Sequence, residues 1–201
     1  MDFGPERKIR SIAVDTNVIL DIAGYYAWLP THKLEDLNED GKRVYQRLRA
    51  SLELVVLALA EDIHVKRVGL RMVEREILKD PSILALYRHA FPGAARPSPE
   101  IKRLAKLYVR KLDIPNPDAA ILAEASFHGV DVLASWNRQH IVREETLRAI
   151  KEVNLARSLQ TPVIITPSDF LSRITLSNTR TLCFRPSEVL PVYRLRISLP
   201  T

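Results

Sequence analysis

The chain has 201 residues, the size of one compact domain with enough length to bury a core without staples. Its single cysteine, Cys183, excludes an internal disulfide. The charged opening MDFGPERKIR has no apolar signal core, and the longest apolar stretch, 52–60, is about half a membrane span, so a cytoplasmic protein with no membrane partner is expected. The net charge of +6 is uneven, with −4 over 15–64, +7 over 65–113, −2 over 114–170 and +4 over 171–201; basic segments beside acidic ones suit a polyanion cut with a metal's help, although many cytosolic proteins carry basic segments for solubility alone.

In chain order, residues 9–14 read as a short buried strand that ends at Asp15. DTNVILDIAG, 15–24, reads as a turn into a helix closed by Gly24. A helical region follows over 33–62, where Val44, Leu48, Leu52, Val55, Val56 and Leu59 recur at helical spacing and Gly41 offers a break. Residues 64–69 are a weakly marked second strand. Residues 70–79 read as a helix, Asp80-Pro81 opens another through His89, and 91–99 is a Pro/Gly loop. Ser98-Pro99 opens a basic helix to about 112, and Asn116-Pro117 opens the next, which stops at Gly129. Residues 130–134 are a strand, 141–159 a helix, and 162–166 a last core strand before a short helix from Pro167. The rest, 173–201, reads as irregular, with a terminal strand suggested by the alternation at 193–199. Strands alternating with helices predict an α/β fold around a parallel sheet, whose ligands bind at the carboxyl ends of the strands. That edge would carry Asp15, the start of the helix bearing Asp118, and Asn137.

Carboxylates from distant segments suit a hard divalent cation, which prefers oxygen ligands and can shield a phosphodiester and acidify a bound water. Without the cation they repel one another. At this point the sequence resembles the PIN-domain ribonucleases, a family that includes toxins of toxin–antitoxin pairs. IAVDTNVIL (12–20) looks like the family's opening strand and first acid. MVEREIL (72–78) is similar to its second motif, and PDAAILAEASFHGVDVLASWNRQHI (117–141) to its third, with a Ser/Thr-x-Asn/Asp turn. PVIITPSDFL (162–171) resembles its closing strand and Thr-Pro turn.

The resemblance implies a PIN-like three-layer α/β/α sandwich with a central parallel sheet over 1–172, followed by a basic C-terminal extension, 173–201, packed on the domain or extending it. It implies an endoribonuclease using Mg²⁺ or Mn²⁺, with Asp15, Glu76 and Asp118 as metal ligands and Asn137 as a fourth catalytic position. The implied partners are RNA, an antitoxin protein and a second copy of the chain. Each acid also has a plainer reading. Asp15 can cap the following helix, and Asp118 can favour a helix dipole. Glu74 and Glu76 lie about 200° apart around a helix, so only one can face a site and the other is expected to be solvated. Many members have Asp where Asn137 stands, so a second metal is in doubt, and a catalytically weak RNA-binding or scaffold module is the alternative. His140 could touch phosphate but reads rather as an ordinary surface histidine, Asp131 reads as structural and Asp21 as solvated. An aspartyl-phosphate phosphatase needs a second acid where Asn17 stands, which sets that chemistry aside. Lys102, Lys106 and Arg110, with Arg103 beside them, form a basic stripe on the 98–112 helix that would hold RNA phosphates or simply face water. Tyr25, Tyr26 and Trp28 are expected to pack, with base stacking as the other reading.

Overall fold

The computed structural model describes residues 7–60, 63–94, 98–176 and 182–184. The central sheet is parallel and built from β2 (Ser11–Val14), β3 (Lys66–Arg67), β4 (Val132–Ala134) and β5 (Val163–Ile165), in the order β3-β2-β4-β5. Every residue of β2 and β4 is buried, which is why 12–14 and 132–134 read as unbroken apolar runs rather than alternating ones. Full burial of a residue such as Val14 contributes roughly 1.5–3 kcal/mol.

Eight α-helices are present among the described residues: α1 (Thr16–Trp28), α2 (Glu39–Leu59), α3 (Arg71–Glu76), α4 (Pro81–Ala90), α5 (Pro99–Leu112), α6 (Asn116–Phe127), α7 (Glu144–Leu155) and α8 (Pro167–Arg173). From β2 the chain crosses to β3 on one side, then returns past β2 to β4 and β5 on the other. Right-handed crossovers send the two sets of connecting helices to opposite faces. The packing agrees for all but α4: α2 packs on α1 and α8, α6 packs on α3 and α5, and α5 packs on α7, whereas α4, although it lies between β3 and β4 in the chain, packs on α1 and α2. The reversal between β2 and β4 is a topological switch point, where the strand ends splay and a ligand crevice opens.

Several boundaries differ from the sequence reading. The helix after Asp15 does not close at Gly24 but continues to Trp28, because Ile22 and Tyr25 still face the core. The 33–62 region begins with a short 3-10 turn, Leu34–Asp36. Gly41 is no break; it lies in the first turn of α2, where its N–H donates to the Asn38 cap at 2.8 Å. The tail is not wholly irregular. β6 (Ile174–Leu176) pairs antiparallel with β7 (Leu182–Phe184), which pairs with β1 (Arg7–Lys8) near the N-terminus. The alternation at 193–199 lies outside the described residues. No helix among the described residues is long and apolar enough to cross a membrane.

Polar side chains hold the layers in register. Asp131 accepts from the backbone N–H groups of Arg10 and Ser11 at 2.8 and 3.1 Å and from Gln160 at 2.8 Å, so it ties the amino ends of β2 and β4 together, far from the switch point. The Tyr108 hydroxyl of α5 donates to Asn154 Oδ1 of α7 and shares a second hydrogen bond with the Ser126 hydroxyl of α6, joining three helices through one buried network. These bonds remove the desolvation cost of burying the groups involved.

Candidate active site at the switch point

β2 ends at Val14, and the next residue, Asp15, continues the parallel ladder by donating its N–H to Ala134 O at 2.9 Å. Its carboxylate is 3% exposed and fully engaged. Oδ2 accepts from Ser135 Oγ at 2.6 Å and Asn17 Nδ2 at 2.7 Å, and Oδ1 from the Thr16 N–H at 2.7 Å. Burial pushes its pKa up to about 6, with the Asp118 and Glu76 carboxylates adding to the rise and the hydrogen bonds opposing it. Asp118, in the first turn of α6, is also raised by burial; Asn137 and His140 oppose that shift. Glu76 closes α3 and accepts from Thr16 Oγ1, next to Asp15 in the chain.

The turn after β4 links the acids. Asn137 donates from Nδ2 to Asp118 at 3.1 Å and from its backbone N–H to Ser135 Oγ at 3.0 Å, the same hydroxyl that donates to Asp15. Asp15, Glu76, Asp118 and Asn137 are therefore brought to one edge of the sheet. Placement of Glu76 depends on two buried groups under α3. That helix has no side-chain cap of its own; Glu124 of α6 accepts from the Met72 N–H at 3.1 Å, and the Tyr87 hydroxyl of α4 accepts from the Leu70 N–H at 2.7 Å.

Three expectations are corrected. Glu74 is not solvated: it is buried and accepts from Arg88 Nε at 2.9 Å, and Glu76 is the exposed member of the pair. Asp21 is not solvated either; it is buried, held by Arg47 Nε and Nη2 at 2.9 and 3.0 Å and by Ser51 at 3.0 Å. His140 is not an ordinary surface residue, since its Nδ1 lies 3.0 Å from Asp118 Oδ2. Ser135 is a site residue that the sequence reading does not single out by itself, and Asn17 and His140, read there as the place of a missing acid and as a surface histidine, also contact the site acids. Ser135 was the readable one, as the first residue of the Ser-x-Asn turn.

The donor set is mostly carboxylate and amide oxygen, which suits a hard cation. As the side chains stand, no group of three or more Asp, Glu, His or Cys residues is close enough to share an ion among the described residues. Glu76 is exposed at a helix end and held by Thr16 Oγ1, so a shared ion would require its side chain to turn from that bond toward Asp15 and Asp118.

On α5, Lys102, Arg103, Lys106 and Arg110 are exposed, and Ile101, Leu104 and Tyr108 are buried; Leu107 is half-buried. Arg103 pairs with Glu100 at 3.5 Å. The short connection 113–115 turns α5 back along α6, so Arg110 lies at the Asp118 end and Lys102 about 12 Å further along. Tyr25 packs in the core, and Trp28 stacks on His32 with ring centroids 4.3 Å apart. At about 1.5 Å per residue, Trp28 lies roughly 18 Å along α1 from the acid pocket.

Compared with protein-family models, curated proteins and solved structures, the chain matches none of them. The fold and the site thus define an α/β protein with acidic residues gathered at the switch point of a parallel sheet.

Proposed function

We propose that the chain is a metal-dependent endoribonuclease of the PIN type. The observation that carries this reading is the approach of three carboxyl groups, Asp15 after β2, Glu76 of α3 and Asp118 of α6, to one sheet edge, where Asp118 and Glu76 add to the raised pKa of the almost fully buried Asp15. A carboxylate buried next to like charges costs the fold stability, an arrangement expected where the charges serve chemistry. Two helix groups on either face of a four-strand parallel sheet fit the three-layer sandwich of that family.

Asp15, Glu76 and Asp118 would hold Mg²⁺ or Mn²⁺ through carboxylate oxygens, with Asn137 contributing an amide. The bound ion supplies charge shielding for the phosphodiester and an acidified water. The chain's own residues do the positioning. Ser135, Asn17 and the Thr16 N–H fix the Asp15 carboxylate, and Asn137 and His140 orient that of Asp118. Mg²⁺- or Mn²⁺-dependent cutting of single-stranded RNA, lost on Asp15→Asn, tests the reading. RNA binding without cutting would favour a non-enzymatic module, the reading that the amide at 137 supports. A toxin role adds an antitoxin partner, which a neighbouring antitoxin-like reading frame would reveal.

Two expected results follow from the pocket and the α5 stripe. Mg²⁺ or Mn²⁺ raises the melting temperature over that in EDTA, because it binds only the folded state and relieves carboxylate repulsion. At about a hundred times Kd the gain is about 2.7 kcal/mol. Equal melting with and without the ions argues against a metal site. Replacing Lys102, Lys106 and Arg110 by Ala weakens single-stranded RNA binding and flattens its salt dependence by about 0.7 in log–log slope per lost phosphate contact. The fold survives, since all three side chains are exposed. An unchanged slope would move the RNA path off α5.

A further inference from the structure

The turn that joins the two halves of the acid pocket carries an aromatic side chain that the proposed reaction leaves unused. Trp136 lies between Ser135, which donates to Asp15, and Asn137, which donates to Asp118. Its backbone N–H donates to Asn17 Oδ1 at 3.1 Å, and Asn17 in turn donates to Asp15. Its indole Nε1 donates to Ser51 Oγ at 2.7 Å. The Arg47 guanidinium stands 5.7 Å from the ring centroid and is itself held in a two-pronged ion pair by the buried Asp21, to which Ser51 also donates. An indole and a guanidinium are thus locked together by Ser51 and Asp21. Both keep contact with solvent: Trp136 is half-buried and the Arg47 side chain is 47% exposed. Trp136 packs in part against the hydrophobic core. It is also oriented by hydrogen bonds on its polar edge and sits one residue from each side chain that contacts the site acids.

We propose that the Trp136–Arg47 pair is a stacking platform for an unpaired nucleobase of the RNA, seating the nucleotide next to the phosphate addressed by the acid pocket. The proposal rests on the reading of that pocket as a ribonuclease site. Every base has a π face, and bases stack on aromatic rings and on guanidinium planes with little regard to identity. A base inside a duplex has both faces covered by its neighbours, so it cannot use the platform. Trp136 is therefore a specificity-determining residue that selects single strands, loops and bulges by shape and not by sequence. Its position also explains the bonds to Asn17: the platform and the Asp15 carboxylate share one anchor, so a base on the indole is held in fixed register with the pocket.

The test separates stacking from cutting. The chain has two tryptophans, so Trp28→Phe leaves Trp136 as the only indole. With Asp15→Asn added and EDTA present, no strand is cut. The probes are a short end-labelled single-stranded RNA, the same strand with one abasic position moved along it, and its blunt duplex. Single-stranded RNA is expected to bind and to quench the indole emission, and one abasic position is expected to relieve the quench and weaken binding. Trp136→Leu or Arg47→Ala is expected to weaken single-strand binding by roughly five- to a hundredfold, the range for one stacked base, with little effect on the duplex. Trp136→Phe keeps a stacking face and recovers most of the affinity, which separates stacking from a folding defect; the abasic series on unaltered Trp136 needs no substitution there at all. RNA that binds tightly while the indole stays unquenched, with no abasic position mattering, overturns the platform. RNA that stacks on Trp136 but is never cut by the unaltered chain with Mg²⁺ or Mn²⁺ overturns the ribonuclease reading and leaves the platform standing. RNA that does not bind at all overturns both.

Discussion

Asp15→Asn is expected to melt higher than the unaltered chain at pH 7.5 in EDTA while losing RNA cleavage entirely. The carboxyl pKa is pushed up to about 6 by burial, with Asp118 and Glu76 adding to the rise. A raised folded-state pKa means that the native protein holds this proton more tightly than the unfolded chain does. Stability from this group is therefore greatest below pH 4, falls as pH rises from about 4 through about 6, and stays low above that. A rise of about two pKa units corresponds to about 3 kcal/mol of cost at neutral pH. Asn carries no charge, so it escapes the cost. Its amide oxygen can take the place of Oδ1 and accept from the Thr16 N–H, and the Ser135 hydroxyl can turn to accept from the new NH₂, at the loss of the Asn17 bond, which offsets part of the gain. At about 2–4 °C per kcal/mol for a chain of this size, the gain at pH 7.5 is at most about 6–12 °C, and it shrinks toward zero by pH 4. Burial raises Asp118 in the same direction, so Asp118→Asn follows the same pH trend. The melting gain from Mg²⁺ or Mn²⁺ should be reduced in Asp15→Asn. A variant less stable than the parent at pH 7.5, measured by circular dichroism in EDTA, would mean that the Asp15 hydrogen bonds outweigh desolvation and repulsion, and that the pocket is a structural polar network.

How far the sequence could be read depended on whether a feature was local. β2 was legible because a buried parallel strand shows as an apolar run, and Asp15 ends it. The start of α6 was legible because Asn116-Pro117 fits a helix start and can sit nowhere inside one. Helical spacing also told that Glu74 and Glu76 face different ways. It could not tell which way, because the rotation of α3 is fixed by Glu124 from α6 and Tyr87 from α4. Asp21 misled for a similar reason: its partner Arg47 is 26 residues away on another helix. His140 and Trp136 belong to a turn, where no periodicity reports burial, and their partners Asp118 and Ser51 come from elsewhere in the chain. The β6–β7 pair escaped because its three-residue strands lie outside the strand–helix alternation that marked the equally short β4 and β5.

Gly69→Ala is expected to be the most destabilising single methyl that can be added near the site. Gly69 precedes α3, and its N–H donates to Pro92 O at 3.3 Å. A Cβ there would stand 2.4 Å from Phe91 O and 3.0 Å from Ala94 N. Both are backbone atoms, so no side chain can swing aside. Relief requires moving either the 91–94 segment, anchored by the buried Phe91, or the link from β3 to α3, anchored by Val68 and Leu70. Overpacking of this kind costs about 3 kcal/mol, or roughly 6–12 °C in melting temperature at this chain length. Gly93→Ala is the matched control. Its φ is +80°, but nothing lies within 4 Å of the added Cβ, so it carries only the left-handed backbone cost of about 1–2 kcal/mol. The two variants also differ in function. Displacing the start of α3 shifts the Glu124 and Tyr87 contacts and moves Glu76 relative to Asp15. Gly69→Ala should therefore lose part of the melting gain from Mg²⁺ or Mn²⁺, whereas Gly93→Ala should keep it. If Gly69→Ala melts no lower than Gly93→Ala, then the β3–α3 link yields easily, and the placement of Glu76 does not depend on it.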